Sequence, residues 1–381
     1  MKHLYLSIAL FLFIGFSSTA QNEKTTKDEK ASFTNENPHK VLTLRENSFF
    51  KEKPKNIIFL IGDGMGVAQV FSAVSVNGGE LNMTQMPFTG FSKTQSANAY
   101  ITDSAAGGTA LSSGQRTYNG ALAVDTDTVA IPTILEISKS KGYATGLVSS
   151  SSITHATPAS FIAHQPSRNL QEEIAADFIG SDIDIFIGGG RKFFAERKDG
   201  RNLLDELKKE NYQVFNSLAD AASINTGKLA ILTAENHNEP YPDRGEMLPD
   251  ATEKAINVLK NNSKGFFLMV EGSMIDWGGH DNNTAYVVQE TLDFDRAIGK
   301  ALEFASSNNE TLVVITADHE TGGMTLTGGD IDKNEISGKF TTGGHTSVMV
   351  PVFAYGAGAD KFTGTYNNTE VFHKMMEAFG F

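Results

Sequence analysis

The chain has no cysteine. That removes disulfide frameworks, thiolate metal sites and cysteine nucleophiles together, so any metal must be held by His, Asp, Glu, Ser or Thr. Basic residues are scarce as well. Lys and Arg number 32 against 45 Asp and Glu, a net charge of −13. A nucleic-acid scaffold needs a basic stripe along the phosphates, and this balance speaks against one. The apolar run Leu4–Phe16 is too short to span hydrocarbon. Charged residues make up only 20% of the 381, and 40% are hydrophobic. That is the composition of a chain able to bury a large core, not of a disordered polymer.

The same short run has another reading. Lys2 and His3 give it a basic start, and Ser17–Ala20 supply the small residues of a cleavage site. Residues 1–20 are therefore expected to be a signal peptide, giving a periplasmic or secreted protein without membrane attachment. Residues 21–54 are polar and show no sustained period, which reads as a disordered leader. Residues 55–381 then read as one domain. It opens on the apolar run Asn56–Gly62, and similar runs recur at 144–149, 183–188, 266–271, 311–316 and 350–355. Continuous apolar runs of strand length mark strands buried on both faces of a parallel sheet. Helix-period segments such as Thr133–Lys141 and Val287–Ala305 lie between them. The pattern predicts an α/β three-layer sandwich, a central and mostly parallel sheet flanked by helices. Arg191–Lys264 reads as peripheral helices plus one strand at Leu229–Thr233, and Asp330–Thr342 as a polar loop.

In such a sheet, ligands bind beyond the carboxyl ends of the strands. Asp63 follows the first run, Glu271 with Asp276 and His280 a later one, and Asp318–His319 a third. Each alone reads as a cap or a surface charge. Acids from three strands at one edge repel one another unless a cation sits among them. The Gly62–Gly66 turn lacks the dinucleotide-loop spacing, and Asp63 in its middle suits a metal better than a pyrophosphate. Asp276 and His280 share a face if helical, though Gly278 and Gly279 weaken that helix. His345, between glycines, reads by itself as a solvent histidine. The small-residue run Thr102–Ala110 opens a helix with Thr or Asp103 as cap, and Ser104 there is either a second cap or an attacking oxygen. His155 and Thr157 follow the strand at 144–149. Arg168, beyond them, is either a solubilising charge or a fork for phosphate oxygens.

Together IGDGMG, TDSAAGGTA, THATPASFIAH, a lone downstream Arg, VEGSMIDWGGH, TADHETGG and TGGHT resemble the motifs of bacterial alkaline phosphatases of the short, cold-adapted type. The resemblance runs from Lys55 to the C-terminus, with the motifs in the family's order. It implies a phosphomonoesterase that acts through a phosphoserine at Ser104. It further implies one zinc on Asp276, His280 and His345, and a second on Asp63, Asp318 and His319. Magnesium would sit on Asp63, Thr157 and Glu271, and Arg168, oriented by Asp103, would clamp the phosphate. A homodimer is implied as well. The resemblance also puts Trp277 beside Arg168 in binding substrate. Trp277 stands where the enteric pattern has a lysine that helps hold phosphate through water, and His155 where that pattern has an aspartate near the magnesium, which predicts weaker product binding. A sulfatase is disfavoured because Ser104 is followed by Ala-Ala-Gly rather than x-Pro-x-Arg. A phosphodiesterase would use threonine and lack the Arg, and a phosphate- or zinc-binding protein would bind without turnover.

Overall fold

The computed structural model describes residues 30–381; the expected signal peptide and residues 21–29 lie outside the described residues. Ten strands form one sheet. Their order is Gly364–Asn367, Phe88–Lys93, Val350–Gly356, Thr311–Thr316, Asn56–Gly62, Phe266–Gly272, Ala144–Ser152, Ile185–Gly189, Lys228–Leu232 and Tyr212–Phe215. Neighbours run parallel except Val350–Gly356, which is antiparallel to both strands beside it.

Strand side chains alternate between faces, and the two faces carry separate cores. Ile58, Leu60, Leu268, Val270, Val313 and Ile315 pack with apolar residues of the helices Met247–Leu259 and Thr284–Ser307. Ile57, Phe59, Ile61, Phe267, Leu312 and Val314 pack with those of Ser104–Ser113, Ile134–Ser140 and Asn368–Phe379. The strands are thus buried on both sides, which is why they read as continuous apolar runs.

Register decides where the chemistry sits. Ile61 pairs with Glu271 and with Thr316, and Ser149 pairs with Glu271, so four strands reach the same edge in register, with Ala144–Ser152 running three residues further. The reversed strand matters in the opposite sense. Because Val350–Gly356 runs antiparallel, its beginning lies at that edge, and the preceding His345 is delivered there too.

Three expectations are corrected. Residues 30–54 are ordered within the fold rather than a disordered leader. Ser32–Thr34 pairs with Glu335–Ser337, and Phe33, Leu42, Leu44 and Phe50 pack on the core. The backbone N–H of His39 donates to Asn77 Oδ1 at 2.8 Å, and its ring meets Asp295 Oδ2 at 2.8 Å. Isolated apolar residues and polar ties leave no period to detect. The second correction concerns Asp330–Thr342. It holds a helical turn, Ile331–Lys333, and a strand, Glu335–Lys339, within a three-stranded sheet with Ser32–Thr34 and Thr325–Asp330. Third, the 191–264 region contributes two strands, not one; Tyr212–Phe215 is the short edge strand, only partly buried and so without a clear apolar signature.

Candidate active site

Ser104 is the first residue of the helix Ser104–Ser113 and is buried. Asp103 is the cap. Its Oδ1 accepts from the backbone N–H of Ala106 and of Gly120, both at 3.0 Å. The small residues that follow permit close approach: a Cβ on Gly107 would lie 3.0 Å from Asp318 Cβ. Gly64 has φ +74°, and a Cβ there would meet Asp276 Cα at 2.7 Å, so the turn after the first strand needs glycine for both conformation and space. Ser104 Oγ ends 3.2 Å from His319 Nε2 and 3.5 Å from Asp63 Oδ1.

Around that oxygen, acids and imidazoles form a continuous string. Asp63, Asp318 and His319 bring ligand atoms within 4.8 Å of one another, as do Asp276, His319 and His345, and Asp63, His155 and Glu271. His280 joins the second group, with Nε2 3.4 Å from Asp276 Oδ2 and 3.1 Å from His345 Nε2. Asp276 and His280 do lie on a helix, Met274–His280, despite its two glycines. Thr157 Oγ1 donates to Asp63 Oδ2 at 3.4 Å.

The ring orientations are fixed from behind. Carbonyls only accept, so His280 Nδ1–H donates to Gly343 O at 2.7 Å and His345 Nδ1–H to Thr102 O at 2.9 Å. Thr321 Oγ1 donates to Asp276 Oδ1 and therefore accepts from His319 Nδ1–H at 3.2 Å. In the neutral rings all three Nε2 atoms are left bare and face the cluster. This is how metal-ligating histidines are held. The carboxyls tell the same story. Asp318 Oδ2 and Glu271 Oε1 are buried without a hydrogen-bond partner, as is His155 Nδ1. The donor set, imidazole nitrogen with carboxylate and hydroxyl oxygen, suits zinc and magnesium.

Electrostatics adds to this. Burial, then repulsion from Asp318, Asp276 and Glu271, lifts the Asp63 carboxyl well above its ordinary range. Burial, then Asp276, pushes Asp318 up to about 7. Burial also holds His319 neutral, well below the usual imidazole value, with His345 next in effect. Burial works against the charge of Asp276, but His280 and the other imidazoles outweigh it and keep it low; in return Asp276 raises His280 to about 9. Burial likewise lifts Glu271, yet His155 and the hydroxyls of Ser149 and Ser273 reverse the sign. Those hydroxyls donate to Glu271 Oε2 at 2.6 and 2.5 Å.

At the mouth, Arg168 Nη1 lies 3.4 Å from Asp103 Oδ2, and Nη2 donates to His155 Nε2 at 3.1 Å. Trp277, half-buried, sets its ring 6.2 Å from that of His155, edge to face. All thirteen site residues picked from the sequence therefore lie along one edge of the sheet. Sequence reasoning missed Ser149, Ser273, Thr321 and His237. Ser273 and Thr321 lie inside quoted motifs and Ser149 ends the apolar run at 144–149, and all three read as ordinary hydroxyls. His237 stands in a charged stretch with no motif, and only its contacts with Trp277 and His155 reveal it.

The alkaline phosphatase family model matches residues 54–339. Alkaline phosphatase 3 of Bacillus subtilis (strain 168) is 34% identical, covering 86% of this chain and 89% of its own length. The chain belongs to the alkaline phosphatase family. The alkaline phosphatase of Escherichia coli (strain K12) is 33% identical over 86% of this chain and 87% of its own. Among solved structures, the alkaline phosphatase from the Antarctic bacterium TAB5 superposes with a TM-score of 0.82 at 43% identity, covering 86% of this chain and 98% of that one. A variant of that enzyme with magnesium bound in its M3 site has the same TM-score and identity, with 99% of its chain covered. This family member is a metal-dependent phosphomonoesterase, and its acid–imidazole clusters match that dependence.

Proposed function

We propose that hydrolysis runs through a phosphoserine at Ser104, in a site holding two zinc ions and one magnesium. The observation that carries this is the position of Ser104 Oγ, at a helix N-terminus within 3.5 Å of Asp63 Oδ1 and His319 Nε2. Asp276, His280 and His345 would hold one zinc, and Asp63, Asp318 and His319 the other. Asp63, Thr157 and Glu271 would hold magnesium, with His155 beside them. Bound there, the cations supply positive charge to the attacking and leaving oxygens of an in-line displacement.

The chain's own residues do the rest. Arg168, steadied by Asp103 and His155, grips two non-bridging phosphate oxygens. The helix dipole favours the anion at Ser104. Ser104 Oγ gives its proton to solvent and forms a bond to phosphorus as the bond to the alcohol oxygen breaks, and the departing alkoxide takes a proton from solvent. A water molecule then attacks the phosphoserine, the P–Oγ bond breaks, Oγ regains a proton from solvent, and inorganic phosphate leaves. No named residue touches the alcohol, so the monoester range is expected to be broad.

The test is phosphate release from an aryl monoester at alkaline pH. Activity should vanish with EDTA, return with zinc plus magnesium, and be absent in Ser104→Ala; a fully active Ser104→Ala refutes the phosphoserine route. Faster cleavage of a diester would favour the phosphodiesterase reading.

A homodimer belongs to the same proposal. Tyr100, Ile101, Val348 and Met349 are exposed apolar side chains in the segments flanking Thr102 and His345, which bond to each other at the site. Sedimentation at micromolar concentration should give twice the chain mass. Export is proposed from residues 1–20, and an N-terminus at Gln21 in protein recovered outside the cytoplasm would test it.

A further inference from the structure

His237 lies outside every motif quoted above, yet it reaches the phosphate end of the site. Its ring stands edge to face against Trp277, with centroids 4.9 Å apart at 88°, and against His155 at 5.9 Å and 85°. His155 in turn accepts from Arg168. His237 thus leans on His155, which bonds to Arg168, and on Trp277, which packs against His155.

Its own position is rigid. The backbone N–H of Ser152 donates to His237 Nδ1 at 3.2 Å, so the proton resides on Nε2. The flanking chain is pinned on both sides. Asn238 joins Thr233 at 2.7 Å and the Ser150 carbonyl at 3.2 Å. The backbone N–H groups of Arg191 and Lys192 donate to the carbonyls of Ala234 and Glu235, both at 3.1 Å. Further on, the Tyr241 N–H donates to buried Glu290 at 2.7 Å, and Arg244 forks onto the same carboxylate at 2.8 and 2.6 Å. A loop tied down this thoroughly can fix a ring in space.

We propose that His237 is a positioning residue for phosphate binding: it holds Trp277 and His155 in the orientation that keeps Arg168 on the phosphoryl oxygens. This rests on the reading of Arg168 and Trp277 as the phosphate-binding end of the site. An edge-to-face ring pair of this geometry contributes beyond its buried area, and its loss corresponds to a change of about three- to tenfold in affinity.

The protein provides its own probe, since Trp277 is its single tryptophan. The experiment titrates metal-loaded protein with inorganic phosphate while following tryptophan emission, then measures kcat and KM on an aryl phosphate. In the wild type, phosphate should change the emission of Trp277. In His237→Ala the unliganded emission should move to longer wavelength. Phosphate affinity should weaken about three- to tenfold and KM rise by the same factor, with kcat within about twofold. Two further variants separate ring from hydrogen bond. His237→Phe keeps the ring and should behave as wild type, whereas His237→Asn keeps an acceptor for Ser152 and should behave as alanine. That pair decides the matter even if alanine unfolds the chain. A wild-type emission indifferent to phosphate would remove Trp277 from the phosphate site, and the underlying reading with it. A normal wild-type response retained in His237→Ala, with KM unchanged, would overturn the role of His237 alone. So would rescue by Asn but not by Phe.

Discussion

Two clusters of buried acids in this molecule are built on opposite plans. Behind the site, Glu290 and Asp293 face Arg244, whose guanidinium is almost completely buried with them. Both Glu290 oxygens accept from Arg244, at 2.8 and 2.6 Å. Asp293 Oδ2 also accepts from Arg244, and its Oδ1 accepts from Arg296 at 2.8 Å. Every carboxylate oxygen is satisfied by the chain. At the sheet edge, Asp63, Glu271, Asp276 and Asp318 are equally buried, but no guanidinium is inserted among them and two of their oxygens lack partners. Arg168 stands at the rim with its fork open to the site. Burial alone therefore does not distinguish a structural acid from a ligating one. What distinguishes them is whether the neutralising charge comes from within the sequence or must come from outside it.

Removing the external charge should produce the largest effect. Metal removal should lower turnover more than about 10³-fold, because several preorganised charge stabilisers, each worth about 10²–10³, go together. Zinc plus magnesium should restore it, measured as phosphate release. The other cluster should be indifferent to metals but not to its arginine. Arg244→Met strands two buried carboxylates and should cost about 3–5 kcal/mol in denaturant unfolding, with or without metal. If EDTA and Arg244→Met instead lowered stability only in combination, the two clusters would not be independent.

The comparison sharpens with pH. Above about pH 6.5 an unfolded chain has released its Asp and His protons. The metal-free native state still holds them on Asp318 until about 7 and on His280 until about 9. The native state then binds more protons than the unfolded one, so stability falls as pH rises through this window. His319 and His237, held low by burial, act in the other direction, but only below 6.5, where their unfolded forms still bind protons. The melting temperature of EDTA-treated protein should therefore drop between pH 6.5 and 9. In loaded protein the ligands have already released their protons, and that drop should be absent. Equal slopes in the two samples would argue that no cation occupies the cluster.

Much of this was legible in the sequence because the sheet is parallel and doubly covered. Asn56–Gly62 and Thr311–Thr316 are strands at the very bounds of their apolar runs, and each places its acid one or two residues beyond the end. The site was legible for the same reason, since strand ends are where side chains escape the core. Legibility failed where order does not come from an apolar period. Ser32–Thr34 and Glu335–Lys339 are held by each other across several hundred residues of sequence, and His39 by Asp295. His345 reads as a solvent histidine until the reversal of Val350–Gly356 brings it to the productive edge. His237 depends on a loop whose anchors, Glu290 and Ser150, lie far away in the chain.

The finest distinction between the two clusters lies in a single oxygen. Asp318 Oδ1 accepts from the backbone N–H of Gly64 at 3.2 Å and of His319 at 3.0 Å, while Oδ2 is buried without a partner. Asp318→Asn keeps the shape and an acceptor for those two donors but removes one negative charge from the repelling group. In metal-free protein at pH 8 it should stabilise the fold, on the order of 1 kcal/mol, because one of several mutually repelling charges is gone. In loaded protein the sign should reverse, with weaker zinc retention and lower activity, because a neutral amide is a poorer ligand than a carboxylate. The matching change behind the site, Asp293→Asn, should destabilise in both states, since there the charge already has its partner. Opposite signs for Asp318→Asn with and without metal, measured as melting temperature, would separate an acid kept for a cation from an acid kept for the fold. The same sign in both would place Asp318 with Asp293.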